Sequence, residues 1–266
     1  MYKRQIPPGP NGTHVIDKNA LHIWPRGQFM LIALPNLDGS FTCTLFMPHE
    51  GENSFEALED EKSILQFWEK HFPDTIAIMP TLLEDFKNNP VSALLTIKCF
   101  PWSYWDKVAL VGDSAHAIVP FYGQGMNAGF EDVFELSEII DQFEGENWEA
   151  IFETYQAQRK PNADAIAELS YRNFIEMSQK TADPNFILRK KIEKRFSEKY
   201  PDLWTPLYSR VTFSNRPYAE ALDIGDRQEA IMDNIMALEN IEAIWETDEV
   251  LEQIRAEVGE KLTHKS

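Results

Sequence analysis

Apolar and polar positions alternate with two different periods along this chain. Residues 28–34, QFMLIAL, and 40–47, SFTCTLFM, are short apolar or alternating runs. Between them lies Pro35-Asn36-Leu37-Asp38-Gly39, whose Asp-Gly end is a strong hairpin signal. Residues 14–24, HVIDKNALHIW, form a further extended run, closed by the turn Pro25-Arg26-Gly27. These runs predict a three-stranded antiparallel meander with one face on a core. The period then becomes helical. An acidic amphipathic helix is predicted over 54–71, with Phe55, Leu58, Ile64, Leu65, Phe67 and Trp68 on its buried stripe. A short helix over 81–87 and a strand over 92–100, SALLTIKCF, follow. The apolar run 107–111, KVALV, suits a strand covered on both faces. Helices are predicted over 125–143, with Phe130, Val133, Phe134, Ser137, Ile139 and Ile140 in helical spacing, and over 147–180 with a bend at Pro161. Further helical segments cover 184–199 and 203–213. In the tail, Ile231, Ile235, Leu238, Ile241 and Trp245 form a helical stripe. The fold class is therefore mixed α/β (α+β), with a sheet first and helices last.

Composition narrows the function. The 266 residues are 43% hydrophobic, enough for a sizeable core. The net charge of −18 argues against nucleic acid, which would require a basic patch. The basic group Arg189-Lys190-Lys191, continued by Lys194 and Arg195, has acidic neighbours and reads as a solvated helix face. Residues 217–260 hold thirteen acidic and two basic side chains, the pattern of docked helices with an acidic outer face. Cys43 and Cys99 form no C-x-x-C pair and lie in strand-like runs, as small buried hydrophobes do. The six histidines show no metal-ligand spacing, so no metal is expected. No apolar run approaches the roughly 18 residues of a membrane span, and the first ten residues lack the apolar segment of a signal peptide. A cytoplasmic protein is the expectation.

Candidate chemistry concentrates in one string, GDSAHAIVPFYGQGMNAGFED, residues 112–132. A strand ending in Gly112-Asp113 puts a carboxylate at the sheet edge where ligands bind in α/β proteins, able to accept from sugar or ribityl hydroxyls. Gly123, Gly125 and Gly129 remove side chains where backbone must approach a flat ligand or another helix. The helix that follows offers free N–H groups and a positive dipole to a phosphate or a ring oxygen. By itself, Gly-Asp could be only a turn with Asp113 as an N-cap. No G-x-G-x-x-G fingerprint occurs anywhere in the chain, so only half of a nucleotide site is written in it.

That string resembles the second FAD motif of the flavin-dependent aromatic hydroxylases, the single-component FAD monooxygenases. Gly112, Asp113, Ala115, His116, Pro120, Gly123, Gln124, Gly125 and Asn127 stand at its positions. Within the family the likeness is to the members that hydroxylate kynurenine. It is carried by LHIWPRGQFMLIALPNLDGSFTCTLFMP at 21–48, YRNFIEM at 171–177 and PLYSRVTFSNRPY at 206–218 as well. The resemblance implies FAD and NADPH as cofactors, O₂ and L-kynurenine as substrates, and no side-chain nucleophile. It implies that Asp113 binds ribityl hydroxyls, that Met126 and Asn127 meet the isoalloxazine through backbone groups, and that Gly123 and Gly125 let the loop pass the ring. On the substrate side it implies Asn173 and Tyr208 at the amino-acid end, with Met177, Pro120 and Phe121 nearby. Leu21, Ile23, Met30, Ile32, Leu34 and Phe46 would form an apolar pocket wall. His116 is expected to be a packed, hydrogen-bonded histidine, and the role of Tyr122 is left open.

The implied organisation is a substrate-domain sheet with covering helices over 1–100, the end of the FAD domain over 101–145 and a helical region over 146–266. The family's dinucleotide fingerprint lies early in a longer chain. This sequence is therefore expected to be a C-terminal portion, with Met1 to about Gln5 not a native start, and to bind FAD weakly by itself. A hydroxylase of another aromatic substrate, and a binding module without flavin, remain the alternatives.

Overall fold

The structure is a computed structural model and describes residues 2–262. It divides into two compact units, Met1–Leu94 with Ile175–Ala182, and Leu95–Phe174 with Asp183–Ser266.

The first unit is built on an antiparallel sheet. Its strands are β1 (Tyr2–Ile6), β2 (His22–Pro25), β3 (Met30–Pro35) and β4 (Phe41–Phe46), in the spatial order β1-β4-β3-β2. The 36–40 turn has the expected chemistry. Asn36 N–H donates to the Ser40 carbonyl at 2.8 Å, and Ser40 N–H donates to the Asp38 carboxylate at 2.9 Å. Gly39 has φ +88°, and a Cβ there would stand 2.3 Å from the Gly12 carbonyl oxygen, so only glycine fits. Pairing of Leu31 with Leu45 and of Ala33 with Cys43 puts these four on one face. With Phe41 they join Ile64, Phe67, Trp68, Phe72, Met79 and Leu82 in one core.

Ile64, Phe67 and Trp68 lie on α1 (Glu61–His71), and Leu82 opens α3 (Leu82–Asn88); Phe72 and Met79 stand on either side of the short α2 (Pro73–Ile76). The sequence pattern predicts a helix from 54, yet α1 starts at Glu61. The Asp60 carboxylate accepts from Ser63 N–H at 2.7 Å, and Ser63 Oγ accepts from Asp60 N–H at 3.1 Å, a closed capping box. Upstream, Ser54 Oγ accepts from Ala57 N–H at 3.2 Å, a local turn that competes with helix. Two more expectations change in this unit. Of 14–24 only His22–Pro25 is a strand, because Asp17 accepts from Asn19 N–H at 2.8 Å and turns the chain. The meander gains β1 at its edge, paired with β4 from Tyr2↔Leu45 to Ile6↔Phe41. Met1 lies outside the described residues.

The second unit is mostly helical. Its elements are β5 (Ser103–Tyr104), β6 (Val108–Ala109), α4 (Asp113–His116), α5 (Gly125–Gln142), α6 (Trp148–Ile175), α7 (Pro184–Lys199), α8 (Leu207–Thr212), α9 (Tyr218–Met236), α10 (Ile241–Ile244) and α11 (Asp248–Lys261). Pro161 stands inside α6. One core joins Ile192, Phe196, Trp204, Ile231, Met232, Ile235 and Ile241 to Val250, Leu251 and Ile254, so the acidic tail is docked through its apolar stripe. The strand expected over 92–100 is not formed. A strand exists only through a ladder of partners, and no ladder forms here, although Ile97 N–H donates to the Ala117 carbonyl at 2.8 Å. The 107–111 run is likewise not a doubly covered strand. It forms a two-residue hairpin arm against β5, with Val108 half exposed.

Candidate functional site

The 112–132 string folds around a buried carboxylate. Gly112 takes φ 62° and ψ −139°, a conformation open essentially to glycine alone. Its N–H donates to Asp132 Oδ2 at 3.0 Å. His116 Nε2 shares that same oxygen, and Arg159 Nε donates to Oδ1 at 2.8 Å. Arg159 also reaches Glu131 at 2.8 Å. Asp132, Arg159 and His116 are 0%, 3% and 4% exposed. Burial opposes ionisation of Asp132, but the hydrogen bonds from His116 and Arg159 outweigh it and hold the carboxyl below its ordinary range. His116 is thus the packed, hydrogen-bonded residue expected, with its ring 5.2 Å from that of Trp102.

This hub changes the reading of α5. Phe130, Val133 and Phe134 keep the helical spacing read from sequence, yet they are 67%, 56% and 62% exposed. The buried face runs through Ala128, Asp132 and Ile139. Neither Asp132 nor Arg159 was singled out from sequence. A usable signal existed: Asp132 stands four residues after Ala128 and seven before Ile139, an acid inside an apolar stripe, which requires a cation. Gly129 serves the same junction, since a Cβ on it would lie 3.6 Å from the Gly112 Cα. Asp113 follows at the surface, on the first residue of α4.

The next segment, 120–127, brings several expected residues together. Gly123 has φ +70° and turns the chain into α5. Asn173 Nδ2 on α6 donates to the Phe121 carbonyl at 2.7 Å, and the Phe121 and Phe174 rings are 4.7 Å apart. Tyr208 stacks on Tyr122 with centroids 5.6 Å apart at 21°. Pro120 is exposed beside them. α5 begins without a side-chain cap and with no acid in its first turn. Among the described residues, no acceptor is paired with the N–H groups of Gly125, Met126 or Asn127. The first N–H groups of any helix lack an intrahelical partner, and at the start of this 18-residue helix they remain available to an anionic or carbonyl oxygen. Met126 and Asn127 are exposed there, and a Cβ on Gly123 would meet nothing within 4 Å. This end therefore fits a flat ring with acceptor oxygens. Along the flank of α5 a cleft of about 470 Å³ is lined by Gln124, Asn127, Phe130, Glu131, Phe134, Val211, Thr212 and Tyr218, among others.

The remaining expected residues belong to the first unit. Ile23 pairs with Ile32, and Met30 with Phe46, so these four share the sheet face opposite the core described above. Alternation puts Leu34 and Leu21 on the same face. Met30, Phe46 and Ile32 are buried there, while Leu21 and Leu34 are about half exposed. Met177 is buried in the π-turn Glu176–Lys180, which follows α6 directly, and Gly27 N–H donates to the Ser178 carbonyl at 2.9 Å in the same unit.

Comparison with known proteins fits this geometry. A family model described as FAD binding domain matches residues 101–170. The chain is 66% identical over 249 residues to a kynurenine 3-monooxygenase of Flavobacterium johnsoniae, covering 94% of this chain and 56% of that protein. It is 64% identical over 244 residues to that of Christiangramia forsetii, covering 92% and 54%. To the Dictyostelium discoideum protein of the same name it is 48% identical over 242 residues, covering 87% and 53%. The family resemblance carried by the 112–132 string thus extends over nearly the whole chain. The chain spans about half the length of the curated relatives it matches.

Proposed function

We propose that this chain is part of an FAD-dependent, NADPH-using monooxygenase that converts L-kynurenine to 3-hydroxykynurenine, a step of tryptophan breakdown and pyridine nucleotide synthesis. The likeness to kynurenine 3-monooxygenases along almost all of the chain carries this reading. The three unpaired amides at the amino end of α5 support its flavin part. FAD held there supplies the redox chemistry that connects NADPH, O₂ and the aromatic ring. The chain's own residues bind and orient. Asp113 accepts from ribityl hydroxyls. The backbone of Met126 and Asn127 donates to the ring, and Gly123 and Gly125 keep side chains out of its way. Asn173 and Tyr208 hold the amino-acid end of kynurenine, with Met177, Pro120 and Phe121 beside it. Leu21, Ile23, Met30, Ile32, Leu34 and Phe46 form an apolar wall that excludes water from the reacting ring. No residue acts as a nucleophile. A cytoplasmic site of action belongs to the same proposal; no described helix is long and apolar enough to cross a membrane.

The test uses the whole polypeptide in which the chain occurs, supplied with kynurenine and NADPH. Kynurenine-dependent NADPH oxidation with formation of 3-hydroxykynurenine is expected. In the same assay Asn173→Ala is expected to raise the kynurenine KM by about tenfold, the size of one lost polar contact of 1–2 kcal/mol, while flavin reoxidation changes less. An unchanged KM removes Asn173 from the substrate site. The 266-residue chain alone is expected to bind FAD weakly, and stoichiometric, tightly held flavin on the purified chain would refute that.

A further inference from the structure

The segment 206–218 touches the loop before α5 at two points. Tyr208 stacks on Tyr122, as described. The second contact comes from Tyr218, the first residue of α9 and 8% exposed, whose hydroxyl donates to Gln124 Oε1 at 3.2 Å. Gln124 is 5% exposed, and the same Oε1 accepts from Asn127 Nδ2 at 2.8 Å. Two donors converge on one amide oxygen, so turning the amide over would set its NH₂ against that of Asn127 and would need the phenol to accept in place of donating.

The start of α9 is itself held in place. Ala219 N–H donates to Asn162 Oδ1 on α6 at 3.1 Å. A Cβ on Gly225 would stand 2.8 Å from a Leu207 methyl, so α8 and α9 meet with no room for a side chain between them. Tyr122, Ala128, Ile166, Leu169, Val211 and Tyr218 share one core. The phenol is held where it is by packing, not by the hydrogen bond that it donates.

We propose that Tyr218 is a positioning residue, acting through Gln124 on Asn127 to fix the uncapped amino end of α5. The proposal rests on reading that end as the contact to the flavin ring. Burial, with the charge of Glu131 near it, pushes the Tyr218 hydroxyl up to about 12, so it remains a donor throughout the neutral range.

The experiment compares Tyr218→Phe with the unmodified whole polypeptide. Phenylalanine keeps the ring and its packing and removes only the donor. Amide exchange at residues 124–129 is expected to quicken about fivefold, the equivalent of one net hydrogen bond, with α7 and α11 unchanged. The FAD dissociation constant is expected to rise by a similar factor, and the visible absorption maximum of the bound flavin to shift, because the ring's polar contacts move. Unchanged exchange at 124–129 overturns the proposal. Quickened exchange with unaltered flavin affinity and spectrum upholds the clamp and instead refutes the reading of the α5 amino end as a flavin contact. Gln124→Met, which removes the shared acceptor, is expected to reproduce the exchange pattern, and a failure to do so also overturns the proposal.

Discussion

Asp132→Ala is expected to destabilise the helical unit by about 3–5 kcal/mol, because removing one partner of a buried ion pair leaves the other charge uncompensated. The variant strands the Arg159 guanidinium, which is 3% exposed, and removes the acceptor of the Gly112 N–H and of His116. The measurement is amide exchange in α5 and α6, read against denaturant. A loss under about 1 kcal/mol would mean that water or Glu131 satisfies Arg159 unaided. The effect has a defined pH dependence. The folded-state carboxyl of Asp132 lies below its ordinary value, near 3.9 in an unfolded chain. Its contribution is therefore complete above that value and is lost as pH falls through the lower folded one. Native and variant stabilities are expected to differ by a constant amount near neutrality and to converge only below about pH 4. The same substitution frees Gly112 from the acceptor that helps hold its conformation, so weaker FAD binding in the whole polypeptide is expected alongside.

Trp68→Ala is expected to cost the sheet unit a comparable amount, about 3–5 kcal/mol. Trp68 is 0% exposed, and its ring lies 5.5, 5.7 and 6.3 Å from those of Phe67, Phe72 and Phe86. Three helices of the unit contribute to this cluster or flank it, so the cavity cannot close by moving one side chain. Exchange of the β3 and β4 amides is the readout. Trp68→Phe, which retains an aromatic ring and part of the volume, is expected to lose less than half as much. Equal losses for the two variants would show that the indole, not the filled volume, matters here.

Local chemistry made parts of the fold legible. The predicted runs 28–34 and 40–47 match β3 and β4 within two residues because Asp38 and Gly39 fix the turn through neighbours in sequence. The 184–199 segment is the full extent of α7, since Asp183 caps it and accepts from Asn185 N–H at 2.7 Å, Pro184 opens it, and Pro201 follows its end. The glycine-rich string was readable for the same reason: a glycine at φ > 0 and a helix start are written within a few residues of each other. Less local features were misread or missed. β1, with the sequence YKRQI, carries little apolar signal and is a strand because β4 pairs with it. The 92–100 run carries strand-favouring Thr96, Ile97 and Phe100 and has no ladder.

By itself, then, the sequence determined the turns, most helix limits, the family likeness and the loop that meets the cofactor in that likeness, since each depends on dihedral preferences and hydrogen bonds made between near neighbours. Tertiary structure alone decided that α5 buries Asp132 in place of Phe130 and Phe134, and that Tyr218 reaches Gln124 across 94 residues. Those outcomes turn on which distant groups can satisfy a buried charge or amide, and an acid in an apolar stripe states the need for a partner without saying where along the chain it will be found.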